Sequence, residues 1–282
     1  MDHVARVVEP VLCALAVLLV GLDAWVFFSA TLPRLRQHQG PVPAAAHAAF
    51  GLWLLFNVLL NHGLCTFTSP GTTKHADPEE LGVAAMSGEP GWRWCDLCSR
   101  HKPPMAHHCS VCGRCALKMD HHCVWMCNCI GFNNYRFFFL YIFWMWVGCM
   151  YSVGTTYVAA RGHYSSVKRW MDAEFLSFFM MIMAFSAWLG LSVLLGWHTW
   201  VVLCGSGTID AMMGKGWADR HTHSSSPYDL GAGANWREAF DVGGSRPWWL
   251  TWMLPSLSAK RGHGYRLPTN KTDWGKGAAI AV

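Results

Sequence analysis

Eight of the twelve cysteines in this chain fall between positions 95 and 129, together with five histidines. The order is Cys95-x-x-Cys98, His101, His107-His108-Cys109-x-x-Cys112-x-x-Cys115, then Asp120-His121-His122-Cys123 and Cys127-x-Cys129. Cysteines two residues apart form a knuckle that grips one metal ion, and a structural zinc closes a tetrahedron of four ligands. Three such sites would need twelve of the thirteen candidates within 35 residues, which leaves almost no freedom of geometry. Two sites need eight and leave several thiols and imidazoles uncommitted. A thiol fixed beside a histidine and an aspartate, with no metal on it, is a nucleophile with a base and a group that orients the base. Two chemistries are therefore open: covalent catalysis by an uncommitted thiol, or a purely structural zinc module with extra cysteines.

The elements that must position this cluster are apolar. Of 282 residues, 52% are hydrophobic and 14% charged, and mean hydropathy is +0.20. Soluble domains carry about a quarter charged residues, and disorder requires low hydrophobicity with high charge. Four runs stand out: 11–30, with the single charge Asp23, then 44–67, 137–160 and 175–204, which have none. About 20 apolar residues cross a bilayer as helix, so each run can span. The first run reads as a retained anchor. Asp23 interrupts it, Phe27 and Phe28 precede Ser29 and Ala30, and no A-x-A-like cleavage site follows. The expected fold is an α-helical membrane protein with four transmembrane helices and a cytosolic, two-zinc, cysteine-rich domain between the second and third. Residues 1–67 hold the N-terminus and first two helices, 68–136 the zinc-binding domain, 137–204 the last two helices, and 205–282 a cytosolic tail.

Orientation follows from basic residues. The termini and the 68–136 loop lie on one side of four spans and hold 17 Lys and Arg, while the two other connections hold 5. Positive charge marks the cytoplasmic side. Disulfides do not persist there, so the clustered cysteines point to metal binding or catalysis. Asn270-Lys271-Thr272 is a glycosylation sequon that such a tail leaves bare. Cys13, Cys65, Cys149 and Cys204 lie in or at the spans and read as buried apolar residues. The net charge of +5 is too small for a nucleic-acid surface. Many of the 17 tryptophans fall near run ends, as interfacial belts require. Trp248, Trp249 and Trp252 in the tail fit either a membrane-surface segment or a small tail fold. Asp23 needs a partner inside the membrane, and Asn57, Asn61 and His62 are the candidates.

The segment 95–139 resembles the cysteine-rich domain of the DHHC protein S-acyltransferases, or palmitoyltransferases. It carries Lys102-Pro103-Pro104, His107-His108-Cys109, Asp120-His121-His122-Cys123, Trp125, Asn128-Cys129, Gly131 and Asn134 in the family's register. The resemblance implies two structural zinc ions, one on Cys95, Cys98, His108 and Cys115, the other on Cys109, Cys112, His122 and Cys129. Cys127 falls outside that set. It implies Cys123 as nucleophile, His121 as base and Asp120 as its orienter, with long-chain acyl-CoA, palmitoyl-CoA above all, as co-substrate. The acyl group would pass through a thioester on Cys123 to cysteines of membrane-associated proteins, by ping-pong kinetics. Endoplasmic reticulum or Golgi membrane is the family's address.

Basic residues near the motif, Lys102, Lys118, Arg114 and Arg136, are candidate contacts for CoA phosphates. Small residues in the spans, Gly21, Ser29, Gly148 and Gly154, serve helix packing or an acyl cavity. Departures from the family pattern stand at Val124, Met105, Ser69, Gly207 with Asp210, and Ser226. The alternative reading is a membrane-tethered zinc scaffold or ubiquitin-ligase-like module with no need for Cys123. A transporter would require broken spans and paired intramembrane charges, of which only Asp23 offers any.

Overall fold

The computed structural model describes residues 3–73, 91–213, 227–242, 252–253, 260, 262 and 264–269. The sequon at Asn270, Trp248, Trp249 and Ser226 lie outside the described residues. Chain order begins with α1 (His3–Val26), a π-helical turn (Phe27–Thr31), α2 (Leu32–Gln39) and α3 (Pro41–Phe67). Six short strands follow: β1 (Arg93–Cys95), β2 (Arg100–Lys102), β3 (His107–Cys109), β4 (Arg114–Ala116), β5 (His121–Cys123) and β6 (Asn128–Ile130). Then come α4 (Tyr135–His163), α5 (Val167–Ala173), α6 (Phe175–Leu203), α7 (Thr208–Met212) and α8 (Ala232–Phe240). Four stretches are long and apolar enough to cross a membrane: Val7–Gln39, Pro41–Phe67, Tyr135–His163 and Phe175–Leu203. The protein is a multi-pass membrane protein, and its strands fall between α3 and α4.

The chain divides into two compact units. One comprises residues 11–63 and 139–196 and is helical. Its apolar surface is left outward, with Leu18 and Val193 well exposed, as lipid-facing side chains are. Its polar groups pair with one another. Ser152 donates to the Asp23 carboxylate at 2.9 Å, Thr31 and Thr156 hydroxyls meet at 3.2 Å, and Trp146 Nε1 donates to Ser192 Oγ at 2.8 Å. The expected partners of Asp23 are otherwise engaged. Asn57 and Asn61 donate to carbonyls one turn back on their own helix, and His62 lies against Cys13 and Tyr141. An amide on a helix finds its own backbone more cheaply than a neighbour's side chain. Gly51 is required by close approach, since a Cβ there would sit 2.8 Å from the Phe27 ring.

The other unit comprises residues 1–10, 64–138 and 197–282. Its centre is three antiparallel hairpins, β1–β2, β3–β4 and β5–β6. They repeat every 14 residues: strands start at 93, 107 and 121, and their partners at 100, 114 and 128. The residue before each second strand is left-handed, at Ser99 (φ 50), Gly113 (φ 61) and Cys127 (φ 48). Three-residue strands have little stability of their own, so each hairpin depends on what staples it. Two small apolar clusters help: Ala106, Leu117, Phe132 and Tyr265, and Cys109, Ala116, Met119 and Cys129.

Side chains seal the helix ends against this module. A helix leaves its last four carbonyls unpaired. Asn128 Nδ2 donates to the Cys65, Thr66 and Thr68 carbonyls at the end of α3. Asn134 Nδ2 donates to Cys65, Thr68 and Cys129, and its carbonyl accepts Gly131 N–H at 2.9 Å. Gly131 permits the turn, because a Cβ there would lie 2.6 Å from the Leu117 carbonyl oxygen. Asn235 does the same for α6, donating to the Leu203 carbonyl at 2.8 Å. In the tail, Trp252 packs edge-on to Trp236 and against Phe240, so this tryptophan belongs to a small tail fold.

Candidate active site and metal centres

Strand geometry sorts the Asp-His-His-Cys motif. Successive side chains on a strand point to opposite faces. On β5, His121 and Cys123 therefore share one face and His122 takes the other. His122 Nδ1 faces the sulfurs of Cys109, Cys112 and Cys129 at 3.5, 3.4 and 3.5 Å. One hairpin earlier, His108 Nδ1 faces Cys95, Cys98 and Cys115 at 3.6, 3.2 and 3.8 Å. Tetrahedral bonds of about 2.3 Å to sulfur and about 2.0 Å to nitrogen give edges of roughly 3.5–3.8 Å. Both four-residue cages, with contacts of 3.2–3.8 Å, come close to those dimensions, and both are suited to a metal ion.

The repeat explains which thiol stays out. Each cage takes its Cys-x-x-Cys pair from one hairpin and its His and second-strand Cys from the next. Fourteen residues after Cys109 and Cys112 stand Cys123 and Met126. The third knuckle carries a buried methionine in place of its second sulfur ligand, and among the described residues no fourth hairpin supplies the rest. Cys123 occupies a ligand position without a site.

On its face, Cys123 is 8% exposed and hydrogen-bonded to His121. His121 Nδ1 lies 2.7 Å from Asp120 Oδ2. The other carboxylate oxygen of Asp120 accepts the Thr208 N–H at 2.9 Å, at the start of α7. His198 from α6 brings Nδ1 to 3.9 Å from Asp120 Oδ2 and 3.2 Å from the Tyr135 hydroxyl. Phe138 meets both the His121 and His198 rings edge-on at 4.9 Å. Asp120, His121 and His198 also lie close enough together to suggest a metal. The 2.7 Å contact is shorter than the roughly 3.3 Å edge between two ligands of one tetrahedral ion, and is a hydrogen bond instead.

The electrostatics follow from burial and pairing. Burial pushes the Asp120 carboxyl up, but the His121 hydrogen bond, the nearby imidazoles and the Thr208 N–H together hold it below the usual range. Burial alone would drive His121 down. The bonds and charges of Asp120 and Cys123 outweigh it, and the imidazole is raised to about 9. An imidazolium beside a sulfur stabilises negative charge on that sulfur.

Other expected residues fall as follows. Lys118 is tied to Glu238, which also takes Lys260 at 2.8 Å, so Lys118 is not available as a phosphate contact. Arg114 reaches the Asn128 carbonyl oxygen at 3.4 Å. Lys102 ends β2 at the edge of the first hairpin. Cys127 stays outside both cages. Asp210, a departure from the family pattern, still places its carboxylate 3.4 Å from His107 Nε2. His198, Tyr135 and Thr208 were absent from the expected set. The signal for His198 was its type, an ionisable residue in a long apolar run; Thr208 and Tyr135 carry no such signal.

A family model described as DHHC palmitoyltransferase matches residues 89–215. The probable protein S-acyltransferase 16 of Arabidopsis thaliana is 32% identical over 268 residues, covering 88% of this chain and 85% of the relative. The chain belongs to the DHHC palmitoyltransferase family. Human palmitoyltransferase ZDHHC2 is 35% identical over 63% of this chain and 46% of its own length. Bovine palmitoyltransferase ZDHHC20 is 35% identical over 67% and 50%. The chain thus spans most of the plant relative and about half of each of these animal ones. DHHC membership makes it an acyltransferase.

Proposed function

We propose that the protein is a cysteine S-palmitoyltransferase that passes a long-chain acyl group from acyl-CoA to membrane-associated proteins through a thioester on Cys123. The observation that carries this reading is β5, which turns His122 into a metal cage and presents Cys123 and His121 together beside Asp120. The mechanism uses one proton twice. Cys123, its proton passed to His121, attacks the thioester carbonyl, and the bond to CoA sulfur breaks. His121 gives its proton to the departing CoA sulfur. The acylated Cys123 is then attacked by the thiol of a protein substrate, whose proton returns to His121. One thioester replaces another, so no further energy source is needed, and the kinetics are ping-pong. Asp120 holds the His121 ring with Nε2 toward the sulfur and supports its positive charge. The Thr208 N–H holds Asp120 in turn, with the His198 ring nitrogen 3.9 Å from its carboxylate.

The metal in both cages is zinc, given three thiolates and one imidazole at tetrahedral spacing. Bound zinc serves structure here, fixing hairpins too short to hold themselves. Cys95, Cys98, His108 and Cys115 would hold the first ion, and Cys109, Cys112, His122 and Cys129 the second. The termini and the domain at 68–136 face the cytosol, with endoplasmic reticulum or Golgi as the membrane. An acyl chain held in an apolar medium gains about 0.8 kcal/mol for each methylene kept from water. A zinc scaffold or ubiquitin-ligase-like module would leave the Asp120–His121–Cys123 arrangement without a role.

Purified protein incubated with alkyne-tagged palmitoyl-CoA tests this reading. Label that neutral hydroxylamine removes, and that Cys123→Ser never acquires, is the expected result. A folded, zinc-loaded wild type that takes up no label would refute it.

A further inference from the structure

We infer that Glu9, at the start of α1, is a positioning residue for the second zinc site and through it for the active-site strand. This rests on the proposal that the second cage holds zinc. Glu9 is a carboxylate almost wholly buried, with side-chain exposure of 8%. Burying such a group is costly unless it is paired. Its Oε1 lies 3.0 Å from His122 Nε2, across 113 residues of sequence. The opposite nitrogen, Nδ1, faces the three sulfurs of the cage. A neutral imidazole that binds a metal through Nδ1 carries its hydrogen on Nε2, and that N–H donates to Glu9. The result is a carboxylate–histidine–metal chain, which fixes the ring's tautomer and orientation and strengthens it as a ligand.

The two cages differ in this respect. Among the described residues no carboxylate pairs with His108, so Glu9 distinguishes the second site from the first. Its place also gives it reach. His122 sits between His121 and Cys123 on a three-residue strand, so whatever holds the His122 ring holds the base and the nucleophile on the opposite face.

The test measures zinc as well as acylation. Wild type, Glu9→Gln and Glu9→Ala are purified with zinc, metal per chain is measured, and a chelator is added while maleimide labels each cysteine as it is released. Mass spectrometry reads the labelling rate residue by residue. In Glu9→Ala, Cys109, Cys112 and Cys129 should become reactive about 10- to 100-fold faster, with Cys95, Cys98 and Cys115 unchanged. Glu9→Gln keeps an acceptor without the charge and should fall between; it also serves if the alanine variant fails to fold. Acylation of Cys123 should slow in the same order. Unchanged release at the second cage, or equal acceleration at both, would overturn the role of Glu9. Wild type purified without zinc would instead overturn the metal assignment on which it stands.

Discussion

At the scale of single residues, Thr208, Asp120, His121 and Cys123 form a chain of hydrogen bonds, which in the proposed mechanism controls one proton. His121 is raised to about 9 by Asp120 and Cys123 against the effect of burial. It therefore holds its proton below that pH and loses it above. Release of CoA in a single turnover should be nearly level through neutral pH and fall as pH rises through about 9. Asp120→Asn removes the charge that supports the imidazolium, so the falling limb should move to lower pH and the plateau drop by about 100-fold or more. A limb that stays in place in Asp120→Asn would show that His121 is not the group titrating. His198 acts one step further back. Its Nδ1 faces both the Tyr135 hydroxyl and the Asp120 carboxylate, which favours the tautomer with hydrogen on that nitrogen. His198→Leu should slow acylation up to roughly tenfold, the worth of one hydrogen bond, while His198→Asn, which retains a donor, should recover much of it. Equal loss in both variants, with zinc content intact, would assign His198 to packing alone.

At the scale of elements, the hairpin repeat leaves Cys123 outside both four-residue cages, which is what the proposed nucleophile requires. The local parts of this were legible in the sequence. Knuckle spacing pointed to metal binding, and the adjacency of Asp120, His121 and Cys123 to a nucleophile arrangement; the two ligand sets came only with the family resemblance. The 14-residue period is obscured because its outer copies have changed residue types: Trp94 and His101 in the first hairpin stand where the later ones have histidine and cysteine, and Met126 in the third stands where the earlier ones have cysteine. The repeat yields a prediction. Met126→Cys would restore the third knuckle and give Cys123 a chelating partner three residues away. Acylation by that variant should be inhibited by added Zn2+ or Cd2+ at lower concentration than the wild type requires, with reversal by chelator. Equal sensitivity would show that the third hairpin cannot present two sulfurs to one ion. Asn128 and Asn134 were legible only as motif residues; their work, like that of Asn235, is to pair the final carbonyls of α3 and α6, which no local pattern announces.

At the scale of the whole chain, the unit that holds the site is built from three separated segments, 1–10, 64–138 and 197–282. Pairings across such distances leave no periodic trace, which is why Thr208, His198 and Glu238 escaped a reading by spacing while the four apolar spans did not. Glu238 shows what the third segment contributes. Its carboxylate joins Lys118 and Lys260, and Lys260 also lies over the Phe132 ring at 4.5 Å. Burial works against the Glu238 charge, but the two lysines win and hold its pKa at about 2 instead of 4.5. Its stabilising contribution is therefore complete above pH 4.5 and lost as pH falls toward 2. Lys118 stands two residues before Asp120, so this ion cluster fastens the tail to the base of the active-site strand. Removing the shared carboxylate leaves two ammonium groups facing each other, whereas removing one lysine leaves a pair. Glu238→Gln should therefore destabilise the protein by about 3 kcal/mol, more than Lys118→Met or Lys260→Met. It should also expose the tail to limited proteolysis and slow acylation of Cys123. Thermal unfolding in detergent orders the three variants. If either lysine variant proves the more damaging, the cluster is held by lysine packing on Phe132 and its neighbours, not by the shared charge.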